Sequence, residues 1–150
     1  MSLANKMKLE DEISTFELKI TSITQTPNGT QVNATGTVGR YGKVWLSYDF
    51  TPNSEQEHMG SFVGMGRGLT PEGAAAEGKR RGVYAGDGLK GTVYSLDDVT
   101  DGKPNFCIEK WDLEKETIEN ISDNNQNNPG SNNLKDKWEL ILSKVELPST

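Results

Sequence analysis

The chain has 150 residues, a formal net charge of −6 and a hydrophobic content of only 33%. That length gives one domain able to bury about two-thirds of its unfolded surface. The acidic balance argues against nucleic acid or an anionic membrane as partner, because both require a basic face. Cys107 is the only cysteine, so no internal disulfide forms, and no apolar run approaches the roughly 18–20 residues of a spanning helix. The first residues lack the apolar core of a signal peptide, and the expectation is a cytoplasmic protein.

Phe16, Leu18 and Ile20 alternate with Glu17, Lys19 and Thr21, the period-2 signature of a half-buried strand. Pro27-Asn28-Gly29 turns the chain, and Val32, Ala34, Gly36 and Val38 form the inward set of a second strand. After a turn at Gly39–Gly42, a third strand places Val44, Leu46, Tyr48 and Phe50 on one face and Trp45, Ser47 and Asp49 on the other. Pro52 to Met59 is polar, carries the only histidine, His58, and reads as an exposed loop.

Ser61 to Leu69 is a strand with Gly64, Gly66 and Gly68 on one face and Val63, Met65, Arg67 and Leu69 on the other. A face without side chains lets another group lie directly on the backbone, or lets the sheet bend sharply. Thr70–Gly73 turns into a fifth strand, from Ala74 to about Tyr84, and Asp87-Gly88 into a sixth, Lys90 to Leu96. A seventh spans Asn105 to Trp111. Leu113–Ser122 reads as a short strand at Thr117–Ile121, with a helical stretch as the alternative. Ser122–Asp136 is rich in Asn, Ser, Gly and Asp and predicts a mobile loop over about 122–136, as the N-terminus predicts a flexible segment over about 1–10. A last strand is expected over Lys137–Leu147.

Fourteen of the sixteen glycines lie between Gly36 and Gly102, a density that excludes helices and suits a strongly curled sheet. The expected fold is all-β: a single-domain antiparallel up-and-down barrel of about eight or nine strands, whose closure removes exposed edges.

No motif specifies a reaction. Gly64-Met65-Gly66-Arg67-Gly68 sits inside a strand and is followed by Pro71, so no helix opens there to receive a pyrophosphate. Asp97–Gly102 fails as a calcium loop, because its third position is Val99 and its twelfth is Ile108. One histidine and one cysteine do not make a metal cluster, and neither a metal nor a cofactor is expected. Lys79-Arg80-Arg81 is the only dense cationic run. In a strand the three alternate faces, so at least one points away from the other two, and the plain reading is that the outward ones are solvated or pair with nearby carboxylates. An inward member beside Arg67 would form a pocket for an anion, with Glu77 near Arg67 if the fourth and fifth strands pair through their turn.

Tyr41-Gly42-Lys43-Val44, Gly60 to Gly68, Gly82-Val83-Tyr84 and Ser95 to Gly102 resemble segments of uncharacterised small bacterial proteins, which are similar to calycin-type or allene-oxide-cyclase-like barrels. The resemblance covers about residues 36–113. It implies a barrel and no particular reaction, and it carries no catalytic residue onto this chain.

The expected function is therefore binding of a small, partly apolar, possibly anionic molecule inside the barrel, with Tyr48, Arg67, Glu77, Tyr84, Tyr94 and Trp111 as candidate lining residues. Two other classes stand beside it. One is an isomerase or cyclase using Glu77 or Glu109 as acid or base; the other is a scaffold with a filled core. An exposed sheet face would also allow homo-oligomers.

Overall fold

A computed structural model describes residues 16–56, 58–102 and 104–120, which lie within one compact unit. Eight antiparallel strands close into a barrel in chain order: β1 (Glu17–Thr26), β2 (Gly29–Val38), β3 (Gly42–Pro52), β4 (Met59–Leu69), β5 (Ala75–Asp87), β6 (Lys90–Val99), β7 (Asn105–Asp112) and β8 (Thr117–Asn120). The up-and-down barrel is thus as expected, and the ambiguous stretch after Leu113 is a strand. β8 closes the ring by pairing Leu18 with Ile118 on one side and Trp111 with Ile118 on the other. The expected flexible N-terminus, Asn-rich loop and last strand lie outside the described residues.

Alternation decides what fills the interior. Leu18 and Ile20 of β1, Val32 and Ala34 of β2, Val44 and Tyr48 of β3, Val93 of β6, Trp111 of β7 and Ile118 of β8 are buried together. Each large apolar side chain removed from water contributes about 1.5–3 kcal/mol. One irregularity matters for the interior. The β1–β2 register shifts between Ile20 and Ser22, so that Ile23 rather than Ser22 comes opposite the inward Val32. A bulge of this kind re-aims every later side chain of its strand.

β4 turns Phe62 and its glycines inward and its other large side chains outward, leaving Val63 and Met65 exposed. Neighbouring side chains already occupy the interior there. A Cβ on Gly66 would lie 2.9 Å from Leu46 Cδ2, and one on Gly68 would lie 2.8 Å from the backbone oxygen of Tyr41. The bare face therefore serves as a floor for side chains from β3, β5 and the 3-10 turn at Gly39–Tyr41.

Candidate functional site

The inward side chains of β3 divide the interior along its length. Phe50 faces a wide cavity at one end, Val44 and Leu46 face a narrow one at the other, and Tyr48 lies between them, fully buried. Among the described residues, none lines both cavities.

The wide cavity, about 330 Å³, opens at the end that carries the β1–β2, β3–β4, β5–β6 and β7–β8 connections. Ile23, Val32, Phe50, Tyr84, Val93 and Trp111 form its apolar wall, and Gln25, Thr30, His58, Lys90 and Thr92 its polar part. Phe50 meets Tyr84 and Trp111 edge-on, at centroid distances of 5.1 and 5.3 Å. Such aromatic pairs hold their rings more firmly than apolar contact alone. Burial pushes the Tyr84 phenol up from its ordinary range.

Beneath this wall lies a layer of rings and ions. Tyr48 packs edge-on against Trp111 at 4.8 Å and tilts against Phe62 at 5.5 Å. Its hydroxyl donates to both carboxylate oxygens of the fully buried Glu109, at 2.9 Å to Oε1 and 3.1 Å to Oε2. Trp111 Nε1 donates to Glu109 Oε1 at 3.4 Å, and Arg80 Nη2 donates to Oε2 at 2.9 Å. Arg80 Nε donates at 3.2 Å to each oxygen of Asp97, which also accepts from the Ser95 hydroxyl and, at 3.7 Å, from the Cys107 thiol. The guanidinium lies over the Tyr48 ring, 4.8 Å from its centroid.

The electrostatics follow from that packing. Burial alone would lower Arg80, but the Tyr48 oxygen and the Glu109 and Asp97 carboxylates outweigh it and hold the guanidinium well above its usual range. Burial pushes the Tyr48 phenol well up and raises the Cys107 thiol, with the Asp97 charge adding to the shift of the thiol. A buried ion pair survives only where each partner is also hydrogen-bonded, and here four strands, β3, β5, β6 and β7, supply the bonds.

The narrow cavity, about 80 Å³, has Arg80, Asp97, Cys107 and Glu109 on its polar side and Val38, Val44, Leu46 and Val99 on its apolar side. Tyr41 borders it. Its hydroxyl donates to Asp101 Oδ2 at 2.9 Å and accepts from Asn105 Nδ2 at 2.9 Å and Arg40 Nη2 at 3.0 Å. These bonds tie the turn after β2 to the turn before β7.

The six candidate lining residues fall in three places. Tyr84 and Trp111 line the wide cavity, and Tyr48 belongs to the dividing layer. Tyr94 points outward and is 39% exposed. Arg67 and Glu77 pair across β4 and β5, as expected from the turn between them, but outside the barrel: their side chains are 70% and 58% exposed, 3.8 Å apart, at the rim of the narrow end. The expected inward Arg67 is thus corrected, because the glycines flanking it take the inner face. The cation that does turn inward is Arg80, and it meets two carboxylates rather than a second arginine. Cys107 faces the interior, while His58 is exposed on the rim of the wide cavity.

The sequence reading missed Asp97 and Ser95 as interior groups. The signal was present: counting by twos reaches Glu109 back from the inward Trp111, Ser95 and Asp97 forward from Val93, and Arg80 back from Tyr84.

Among the described residues, no three or more His, Cys, Asp or Glu side chains are grouped to hold a metal ion, and no helix is long and apolar enough to cross a membrane. No protein-family model, curated protein or solved structure matches the chain.

Proposed function

We propose that this barrel binds a small, largely apolar molecule in its wide cavity, with a polar or anionic end left at the rim. The volume of that cavity, about 330 Å³, carries the reading, since it falls in the range of small-molecule sites. Phe50, Tyr84 and Trp111 suit a flat apolar body, and Lys90 and His58 stand at the rim where a negative end would lie. The enzyme reading would draw on Glu109. Both its oxygens are engaged by Tyr48, Arg80 and Trp111, which favours a framework role for it over proton transfer. With one cysteine, half-buried and turned to the interior, a reducing cytoplasm is the compartment that fits.

Calorimetric titration of the full chain with 2-naphthol and 2-naphthoate tests this. Both are expected to bind at one saturable site, with naphthoate weakening as salt is raised. Ile23→Trp, which places an indole at the opening, is expected to reduce binding at least about tenfold, roughly 1.4 kcal/mol. The absence of saturable binding by either compound would refute the reading.

A further inference from the structure

One edge of the sheet is left open. β8 pairs with β1 only at Glu17, Leu18 and Lys19, and the Ile20 N–H then donates at 2.9 Å to the Glu116 carbonyl in the turn before β8. Beyond that point β1 continues through residues 21–26 with β2 on one side and, among the described residues, no strand on the other. The hairpin loop is Pro27-Asn28 alone, which makes Thr26 and Gly29 a hydrogen-bonded pair and directs the backbone groups of Thr26, Thr24 and Ser22 to β2. Ile23 and Gln25, the alternate residues, turn their N–H and C=O outward along the edge. Residues 21–26 are all exposed and include no charge and no proline. Edges of folded proteins are ordinarily guarded by a charged side chain, a proline or a bulge. Here the bulge lies at the start, between Ile20 and Ser22, and Pro27 lies past the end.

We propose that this edge binds a short extended peptide as an added strand, running antiparallel to β1 on the line that β8 leaves at Thr117. Two observations choose that partner. N–H and C=O groups repeating along one line match an extended backbone, which offers both at the same spacing. Side chains opposite one another in paired strands share a face, and Ile23 and Gln25 line the wide cavity, so the peptide residues opposite them point into it. Phe50, Tyr84, Trp111 and Leu113 stand in the wall of that cavity and call for apolar or aromatic residues at those alternate positions. The side-chain part of the inference rests on the wide cavity's taking an apolar body; the backbone part does not. A second copy of this chain is the poorer occupant, because it would bring another net charge of −6 against the first.

Acetyl-Thr-Trp-Thr-Val-Thr-amide fits the pattern, with its Trp and Val opposite Gln25 and Ile23. The backbone amide signals of Ile23 and Gln25 would be followed by NMR in the ¹⁵N-labelled full chain during titration. Both are expected to shift saturably, with half-saturation on the order of 100 μM, and their hydrogen exchange to slow. N-methylation of the peptide at Trp and Val removes the donors aimed at β1 and is expected to weaken binding at least about tenfold. N-methylation at the central Thr, whose N–H points away from β1, is expected to change it by less than about twofold. Gln25→Pro deletes one N–H of the edge and spares the bonds to β2; it is expected to weaken the peptide at least about fivefold. Should that variant fail to fold, the N-methylated peptides still decide. Saturable 2-naphthol binding without peptide binding would overturn this inference and leave the reading of the wide cavity standing, whereas loss of both would end both. Equal affinity for the peptide methylated at Trp and Val, undiminished binding by the folded Gln25→Pro variant, or Ile23 and Gln25 amides already protected in a concentration-dependent dimer would each overturn it as well.

Discussion

The two ends of this barrel share one continuous sheet and differ in what the strands send inside. At the wide end the inward side chains are aromatic and aliphatic and stop short of filling the space, so that about 330 Å³ is left. Toward the narrow end the same strands turn inward Arg80, Ser95, Asp97, Cys107 and Glu109, which bond to one another and leave about 80 Å³. One end is shaped to take up apolar area from water; the other is fixed by directional bonds. The contrast teaches that a barrel's shape and its interior chemistry are specified separately. Backbone closure sets the first, and the choice of side chain at each inward position sets the second.

If the ion-pair layer is the framework of the narrow half, its loss should cost more than a loss of packing in the wide half. Glu109→Leu strands Arg80 Nη2, the Tyr48 hydroxyl and Trp111 Nε1 in the interior, and is expected to lower the unfolding free energy by about 3–5 kcal/mol. Val93→Ala, in the wall of the wide cavity, is expected to cost about 2 kcal/mol. Urea unfolding of the two variants compares them directly, and equal or reversed costs would break the contrast.

The second prediction concerns alkali. The folded protein holds the Cys107 thiol protonated above its free value, so the unfolded chain loses that proton first. Stability from this group is complete below about pH 8.5 and declines as pH rises beyond it, by at most about 1.4 kcal/mol per pH unit, until the folded thiol also ionises. Tyr48 adds the same effect only above about pH 10. Cys107→Ala should therefore move the onset of alkaline destabilisation upward by more than one pH unit in a denaturation series. An unchanged onset would mean that the thiol is not held in the interior as described.

The smallest effect is expected outside the barrel. Arg67→Ala removes an exposed pair and should change stability by less than about 0.5 kcal/mol and leave naphthol binding as it was. A marked loss of binding would return Arg67 to the site.

Much of this was legible in the sequence. The hairpin turns, the inward faces of β2 and β3 and the closure into a barrel all follow from period-2 alternation and glycine placement, and Tyr84 and Trp111 were found by the same route. The bulge after Ile20 was not, because one inserted residue leaves no mark in composition, and Ile23 went unnoticed with it. β4 was legible in part: its bare glycine face signalled that other groups lie on the backbone there, as Leu46, Tyr41 and the stem of Arg80 do, but the alternation alone does not say that Arg67 faces outward. The buried ions were hardest to see. An Arg, Asp or Glu at an inward position reads in a single sequence like one at an outward position, and only the strand register brings Arg80 opposite Asp97.

The most direct test of a divided interior is a crystal structure of the protein soaked with 6-bromo-2-naphthol, in which the bromine is located by its anomalous signal. The account predicts one bromine among Phe50, Tyr84 and Trp111, on the wide side of Tyr48. A bromine bound beside Arg80 and Cys107 instead, or a wide cavity filled by the chain's own side chains, would contradict it.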